Sequence, residues 1–385
     1  MENISVAVVG AGIAGNFHCN ALKQVYCTRV RLKTIVDVDT ERAYDLLEKW
    51  GFQNATADYE SVLQDPEIDL VCIALPTVLH ADFAIKALNA DKHVICEKPL
   101  TGYFGLPEEG FPAENTASKR KMCDSLLKDM SALRQAIDKS KAKFLYAETY
   151  MCFPNCASIA ESVRTLNVRV LDIAVECSIH GSERDLIELR KHVGDSSLMR
   201  VAAYPLSSML FGKQLEARIH DEDIYATSVS AEMGQKRADN SACAENFVNI
   251  AVTFSDGCKG VVYSCDKSYY DHTQGRMRNW IKSSFDNGYN SQNTITPADN
   301  VKLYFLGQEG YESAWRQTDW FNKYDADEAY NKYIIELNRF IGRVVKNRQG
   351  SSGFSHAYDC VKIIHAAYLS AEEGRCIYPT GNARQ

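Results

Sequence analysis

The run Ser5-Val6-Ala7-Val8-Val9 breaks into Gly10-Ala11-Gly12-Ile13-Ala14-Gly15 and then continues as an amphipathic segment to about Gln24. An apolar stretch that ends in closely spaced glycines and changes to helical periodicity reads as strand, tight turn and helix. The three glycines do different things. Gly10 permits the turn, Gly12 lets the backbone approach a pyrophosphate, and Gly15 allows close packing of helix on strand. The amides at the helix start, at Ile13 and Ala14, face the negative charge. Few local patterns restrict a fold so strongly, because this turn works only inside a strand–helix–strand unit.

The following residues extend that unit. A second strand, Leu32 to Val36, ends at Asp37, 22 residues after Gly15. That is close to the ~20 residues expected of the acid that accepts a hydrogen bond from a ribose 2′-hydroxyl. A carboxylate there disfavours a 2′-phosphate, and Val38-Asp39 brings no immediate arginine, so the sequence predicts NAD rather than NADP; Arg42 pulls the other way. A short helix at 58–63 leads to an apolar strand at 69–75 that stops at Pro76-Thr77, and His80 opens another helix. The next strand, Val94-Ile95-Cys96, ends in Glu97-Lys98-Pro99. Proline cannot extend a sheet ladder, which puts Lys98 at the carboxyl end of a strand. A lone lysine is more often a surface residue; at the carboxyl end of a strand in an open parallel sheet it stands where ligands bind. Strands alternating with helices predict a parallel, doubly wound α/β sheet.

Bulk properties exclude several classes. At 385 residues the chain has room for two domains, and 43 Lys+Arg against 50 Asp+Glu give a net charge of −7, which argues against nucleic acid or an anionic membrane as the main partner. No apolar run approaches the ~18–20 residues of a membrane span, and the first residues lack the basic region of a secretory signal. A cytoplasmic protein is expected. Thirteen cysteines, an odd number without C-x-x-C spacing, argue against a disulfide framework and against a zinc ribbon, and no metal site is expected.

Together, Gly10-x-Gly12-x-x-Gly15, Asp37, Pro76-x-x-x-His80 and His93-Val94-Ile95-Cys96-Glu97-Lys98-Pro99-Leu100 resemble the glucose-fructose oxidoreductase, inositol dehydrogenase and rhizopine catabolism (Gfo/Idh/MocA) family. The resemblance implies an N-terminal Rossmann domain, at 1–150, followed by an α/β domain at 151–385 that binds substrate and carries a largely antiparallel open sheet. In the family that sheet often mediates oligomerisation, so a homo-oligomer is expected. The resemblance also implies that Gly10, Gly12, Ile13, Ala14, Gly15, Asp37, Pro76, His80, Glu97 and Lys98 form the cofactor site, that Lys98 reaches the substrate hydroxyl beside the nicotinamide, and that Lys98-Pro99 is a cis bond. Where the family runs directly into a helix, residues 102–120 intervene here, rich in glycine, proline and charge. A loop of that length reads equally as a flap, an oligomer contact or a surface excursion.

Helical periodicity resumes from Met122 to Ser140, and β-rich runs at 169–178, 224–233, 247–254 and 259–265 predict antiparallel pairing in the second domain. The segment 194–206 resembles the family helix that carries the acid/base. Tyr204 takes the acid/base position, while Arg200 stands where Asp is usual and Ala202 where Gly is usual. Arg200, Tyr150 and His180 are the substrate-binding candidates, Arg200 by its fixed fork of donors. Residues 266–324 are aromatic and polar, with Tyr269, Trp280, Trp315 and Trp320 suited to a sugar or aryl group and equally to sheet packing. The expected function is NAD-dependent oxidation of a secondary hydroxyl on a sugar, polyol or glycoside, with C3 of a glycoside among the targets. Two alternatives stand beside it: a redox-neutral enzyme that retains NAD and cleaves a glycoside, and a non-enzymatic NAD-binding sensor or corepressor.

Overall fold

The computed structural model describes residues 3–102, 118–148, 154–179, 198–234, 245, 247–265, 277–286, 288–295, 301–305, 316–317, 328–347 and 353–379. Two compact units emerge: Met1–Gly102, Ser125–Thr149 and Asp327–Tyr358 form the first, and Tyr103–Asp124, Tyr150–Ala326 and Asp359–Gln385 the second. The sequence suggested one boundary near residue 150; instead the chain returns to its first unit at 327–358.

In chain order the first unit begins β1 (Asn3–Val9), α1 (Ile13–Lys23), β2 (Arg29–Val36), α2 (Thr40–Trp50), β3 (Asn54–Thr56), α3 (Tyr59–Gln64), β4 (Leu70–Ile73), α4 (His80–Asn89) and β5 (His93–Glu97). Next come α5 (Lys119–Lys139) and β6 (Phe144–Ala147). The second unit adds α6 (Pro154–Leu166), β7 (Val170–Ile179), α7 (Ala203–His220), β8 (Ala226–Gly234), β9 (Phe247–Phe254), β10 (Lys259–Cys265), β11 (Met277–Phe285), β12 (Gly288–Ile295), β13 (Val301–Phe305) and β14 (Arg316–Gln317). The chain closes with α8 (Glu328–Val345) and α9 (Phe354–Glu373).

The first unit is built on a six-stranded sheet of order β3-β2-β1-β4-β5-β6, parallel throughout. This is the doubly wound arrangement the β/α alternation predicts. Strand order reverses between β1 and β4, so the ligand crevice of such a sheet lies outside their carboxyl ends. Helix α1 buries Gly15, His18, Cys19, Ala21 and Leu22. Its core cluster joins Val6, Ile35, Leu70 and Ile95 of the sheet to Leu337, Phe340 and Ile341 of α8. Each of those large apolar side chains stabilises the unit by ~1.5–3 kcal/mol on burial, so α8 is part of this domain's core rather than an accessory to the next. Asn338 of α8 fixes the turn after α1, its Oδ1 accepting from the amides of Tyr26 at 2.9 Å and Cys27 at 3.2 Å.

The second unit carries an eight-stranded sheet of order β14-β13-β12-β11-β7-β10-β9-β8. It is largely antiparallel, as expected, with one parallel pair, β7 and β10. Helix α7 packs on β7, and its buried Lys213 bonds Glu216 at 2.5 Å, Asp256 at 2.6 Å and the Val170 carbonyl at 3.2 Å. A fully buried ammonium is tolerable only with such complete pairing. Strands β11 to β14 fall within the region read from the sequence only as aromatic and polar. Among the described residues no helix is long and apolar enough to cross a membrane.

Candidate cofactor and active site

The register of the first sheet aligns Val9 with Val36 and Ile73, and Ile73 with Cys96. The residues that follow these strands, Gly10, Asp37, Pro76 and Lys98, therefore stand along one edge, the carboxyl edge where the strand order reverses. That edge gathers the sequence-derived cofactor residues. Gly10 has φ +105°, and a Cβ there would lie 2.3 Å from the Ala74 carbonyl oxygen. A Cβ on Gly15 would lie 1.9 Å from the Gly10 carbonyl oxygen, so helix and turn touch directly.

A dinucleotide fits this edge. A Cβ placed on Gly12 would meet nothing within 4 Å, so the backbone borders open space. Helix α1 starts there with no side-chain cap and no acidic residue in its first turn, and its Ile13 side chain is exposed. Uncapped amides at the positive end of a helix dipole are the donors a pyrophosphate needs. The Asp37 carboxylate is held from both sides, Oδ2 accepting from the Ala11 amide at 2.6 Å and Oδ1 from the Asp39 amide at 2.9 Å. A carboxylate has about four lone-pair sites, which leaves acceptors for ribose hydroxyls and none of the donors a 2′-phosphate requires. Arg42, the one cation that argued for NADP, pairs with Asp39 at 3.0 Å.

These contrasts give a test of the turn. Gly12→Val is expected to fold with an unchanged melting temperature and to weaken NAD by more than about 10-fold, whereas Gly10→Ala is expected to lose stability, because only the first substitution projects into open space. Calorimetric NAD titration beside thermal unfolding checks both arms.

Lys98 is half-buried and joined to Pro99 by a cis peptide bond. Its neighbour Glu97 is buried, and the carboxylate turns into the core: Oε1 takes His18 Nε2 at 2.9 Å and the Tyr333 hydroxyl at 3.0 Å, and Oε2 takes the Lys98 amide at 3.0 Å. Burial opposes ionisation of Glu97, but the hydrogen bond and charge of His18 and the charge of Lys98 outweigh it and hold the carboxyl down to about 2. Burial likewise opposes the His18 imidazolium, and Cys72 and Glu97 outweigh it, raising His18 to about 10. His80 is also buried. Its Nδ1 lies 2.8 Å from the Pro99 carbonyl and its Nε2 2.6 Å from the Leu75 carbonyl. Burial lowers its pKa, so at neutral pH the ring donates to one carbonyl and lies against the other. What His80 holds is thus the spacing between the turn after β4 and the Lys98-Pro99 turn.

Tyr204 belongs to the second unit. It stands in the first turn of α7, partly exposed, and its carbonyl accepts from Ser208 Oγ at 3.3 Å. A π-helical turn, Leu198–Ala202, leads into that helix, and the Arg200 side chain lies outside the described residues. So do Tyr150, His180, Tyr269, Trp315, Trp320 and nearly all of the inserted segment, residues 103–117. Trp280 lies on β11 and donates its indole N–H to Glu176. Sequence reasoning missed His18 and Tyr333. A histidine within the inward stripe Gly15, His18, Cys19 and Leu22, and a tyrosine heading the apolar stripe Tyr333, Leu337, Phe340 and Ile341, were the available signals.

Comparison with known proteins agrees with this construction. Residues 4–123 match the family model for the GFO_IDH_MocA oxidoreductase family, NAD-binding Rossmann fold. The levoglucosan dehydrogenase of Pseudarthrobacter phenanthrenivorans is 39% identical over 106 residues, covering 26% of this chain and 27% of that protein. An inositol 2-dehydrogenase of Arthrobacter sp. is 40% identical over 101 residues, covering 26% of this chain and 29% of that protein. The matches thus span less than a third of these curated relatives. Among solved structures, levoglucosan dehydrogenase in complex with NADH and L-sorbose has a TM-score of 0.76 at 18% identity, covering 99% of this chain and 100% of that one. An oxidoreductase domain protein from Kribbella flavida has a TM-score of 0.77 at 15% identity, with the same coverage. At such identities the likeness is one of fold, over the whole length. The glycine turn, Asp37 and the Glu97-Lys98-Pro99 strand end stand on one edge of a parallel sheet, and residues 4–123, which carry them, match the NAD-binding Rossmann fold of that oxidoreductase family.

Proposed function

We propose that the protein is an NAD-dependent dehydrogenase acting on a secondary hydroxyl of a sugar, polyol or glycoside. The observation that carries this reading is the carboxyl edge of the first sheet, where an uncapped helix start, an acceptor at Asp37 and a lysine backed by a buried carboxylate stand together. The named activities of the relatives, on levoglucosan and inositol, supply the substrate class. When bound, NAD supplies the hydride acceptor.

The chain's own residues do the rest. Amides at Gly12 and Ile13 bind the pyrophosphate, and Asp37 orients the ribose and excludes a 2′-phosphate. Oxidation of a carbinol requires loss of the hydroxyl proton. Tyr204 is proposed to accept it as a phenolate that the Lys98 ammonium favours, both roles by resemblance to the family. Arg200, in place of the family's Asp, is proposed to engage a substrate oxygen, with Tyr150 and His180 as further substrate contacts.

A panel of inositols, free sugars, anhydrosugars and glycosides, followed by NADH absorbance, tests the reading. Net NADH formation on one class supports it. Glycoside cleavage without NADH accumulation would replace it with redox-neutral chemistry, and NAD binding without turnover on any alcohol would replace it with a sensor. For the cofactor, Asp37→Ala is expected to weaken NAD by about 10- to 100-fold, the loss of a charge-assisted hydrogen bond of ~1.5–3 kcal/mol, while NADP affinity changes little. Parallel titrations of the two nucleotides check it.

A further inference from the structure

We propose that His18, Glu97 and Tyr333 form a buried brace that positions Lys98, which makes His18 and Tyr333 positioning residues for the reaction although neither is exposed to the crevice. The inference rests on the dehydrogenase reading above and deepens it.

The geometry is closed. One carboxylate oxygen of Glu97 receives two donors, His18 Nε2 at 2.9 Å and the Tyr333 hydroxyl at 3.0 Å, and the other receives the Lys98 amide at 3.0 Å. Rotating the carboxylate would break all three bonds at once, and Glu97 is 5% exposed, so solvent has little access to replace them. The rings of His18 and Tyr333 meet edge to face with centroids 4.9 Å apart, which fixes both donors. Three elements meet at this carboxylate: α1, β5 and α8. Helix α1 is the one whose first turn faces the pyrophosphate site, so the brace ties cofactor helix and lysine strand into one rigid object.

Other charged or titratable groups also influence the brace. Cys72 of β4 acts on His18, the Lys98 ammonium acts on Glu97, and Glu97 and Glu148 act on Glu336 of α8. Burial, followed by Glu148 and Glu97, pushes the Glu336 carboxyl well up. The brace therefore places one ionised carboxylate, balanced by one imidazolium, directly behind Lys98. A purely structural network would be satisfied by neutral groups of the same shape; a positioning network would transmit its loss to the lysine.

The test reads Lys98 itself. In NAD-loaded protein with 13C-methylated lysines, the Lys98 resonance is assigned by its loss in Lys98→Arg, and its titration is followed in the parent, Tyr333→Phe, His18→Gln and Glu97→Gln. Tyr333→Phe is the mildest change and is expected to fold and to bind NAD within about 3-fold of the parent. It should nonetheless shift or broaden the Lys98 signal, and Glu97→Gln should move its titration midpoint by about one pH unit, a charge lost at close range in low dielectric. Where turnover is measurable, kcat falls about 10-fold with KM nearly unchanged. An unchanged Lys98 signal and midpoint in both Tyr333→Phe and Glu97→Gln, with only the melting temperature lowered, overturns the brace. If the parent oxidises no alcohol, the dehydrogenase reading fails, and the resonance comparison still decides the brace.

Discussion

Lys98→Met is expected to bind NAD with near-parental affinity and to lose about 10²- to 10⁴-fold in kcat, the range for removal of a positioned proton-transfer group. The expectation separates two functions that share one sheet edge. In the proposed function pyrophosphate and ribose are assigned to the α1 turn and Asp37, whose uncapped helix start and amide hydrogen bonds do not involve the lysine side chain. Methionine keeps the length and apolar stem of lysine, so the turn at cis Pro99 and the Glu97 bonds to His18 and Tyr333 are retained. Calorimetry and steady-state kinetics on the same preparation check the split. A variant with parental turnover would remove Lys98 from the chemistry, and a variant that loses NAD as well would assign it to cofactor binding instead.

A second large effect is expected in stability rather than catalysis. His365 of α9 is fully buried, and neither ring nitrogen has a hydrogen-bond partner among the described residues. Its ring meets Tyr368 with centroids 6.1 Å apart. Burial, reinforced by the Lys119 ammonium, lowers its pKa from 6.5 to about 3. The folded pKa is below the unfolded one, so as pH falls under about 6.5 the unfolded chain takes up a proton the folded chain refuses. Stability is then lost at up to ~1.4 kcal/mol per pH unit, until the folded protein is protonated too near pH 3. His365→Phe keeps an aromatic of similar volume beside Tyr368 and removes that slope. Urea unfolding at pH 7, 5.5 and 4.5 should show the variant gaining on the parent steadily as pH falls, and parallel curves would show that His365 takes no part in acid unfolding. The His18 and Glu97 pair runs in opposite senses: its support is lost as pH rises through about 10 on the His18 side and falls through about 2 on the Glu97 side, so it does not contribute to this window.

The first unit was largely legible because its signals are local. A glycine turn, an acid at the end of the next strand and a proline that stops a third all lie within a few residues of the structure they cause. Their alignment on one edge then follows from parallel register, which the β/α alternation demands. The second sheet was legible in part. Strands β9 and β10 alternate buried with more exposed side chains, as in Phe247–Phe254, whereas β12, with Asn290, Ser291, Gln292 and Asn293, has no apolar alternation to read. What local reasoning could not supply were contacts at long range. Tyr333 reaches Glu97 across 236 residues, and nothing near either position marks the other. Glu97 itself was read as a cofactor residue from its neighbourhood in sequence, while its carboxylate faces inward to donors that come from α1 and α8.

The return of residues 327–358 to the first unit also bears on how the protein is made. Ribosomes release the chain from its N-terminus at ~5–20 residues per second, so the six-stranded sheet is complete at Ala147 while α8 is still unsynthesised. For roughly ten seconds or more, the surfaces of α1 and the sheet that will receive Leu337, Phe340 and Ile341 have no cover, and Glu97 lacks its tyrosine donor. The cofactor domain of this protein is thus a late product of translation although it is encoded first, and its final shape waits on a helix delivered after the whole second sheet.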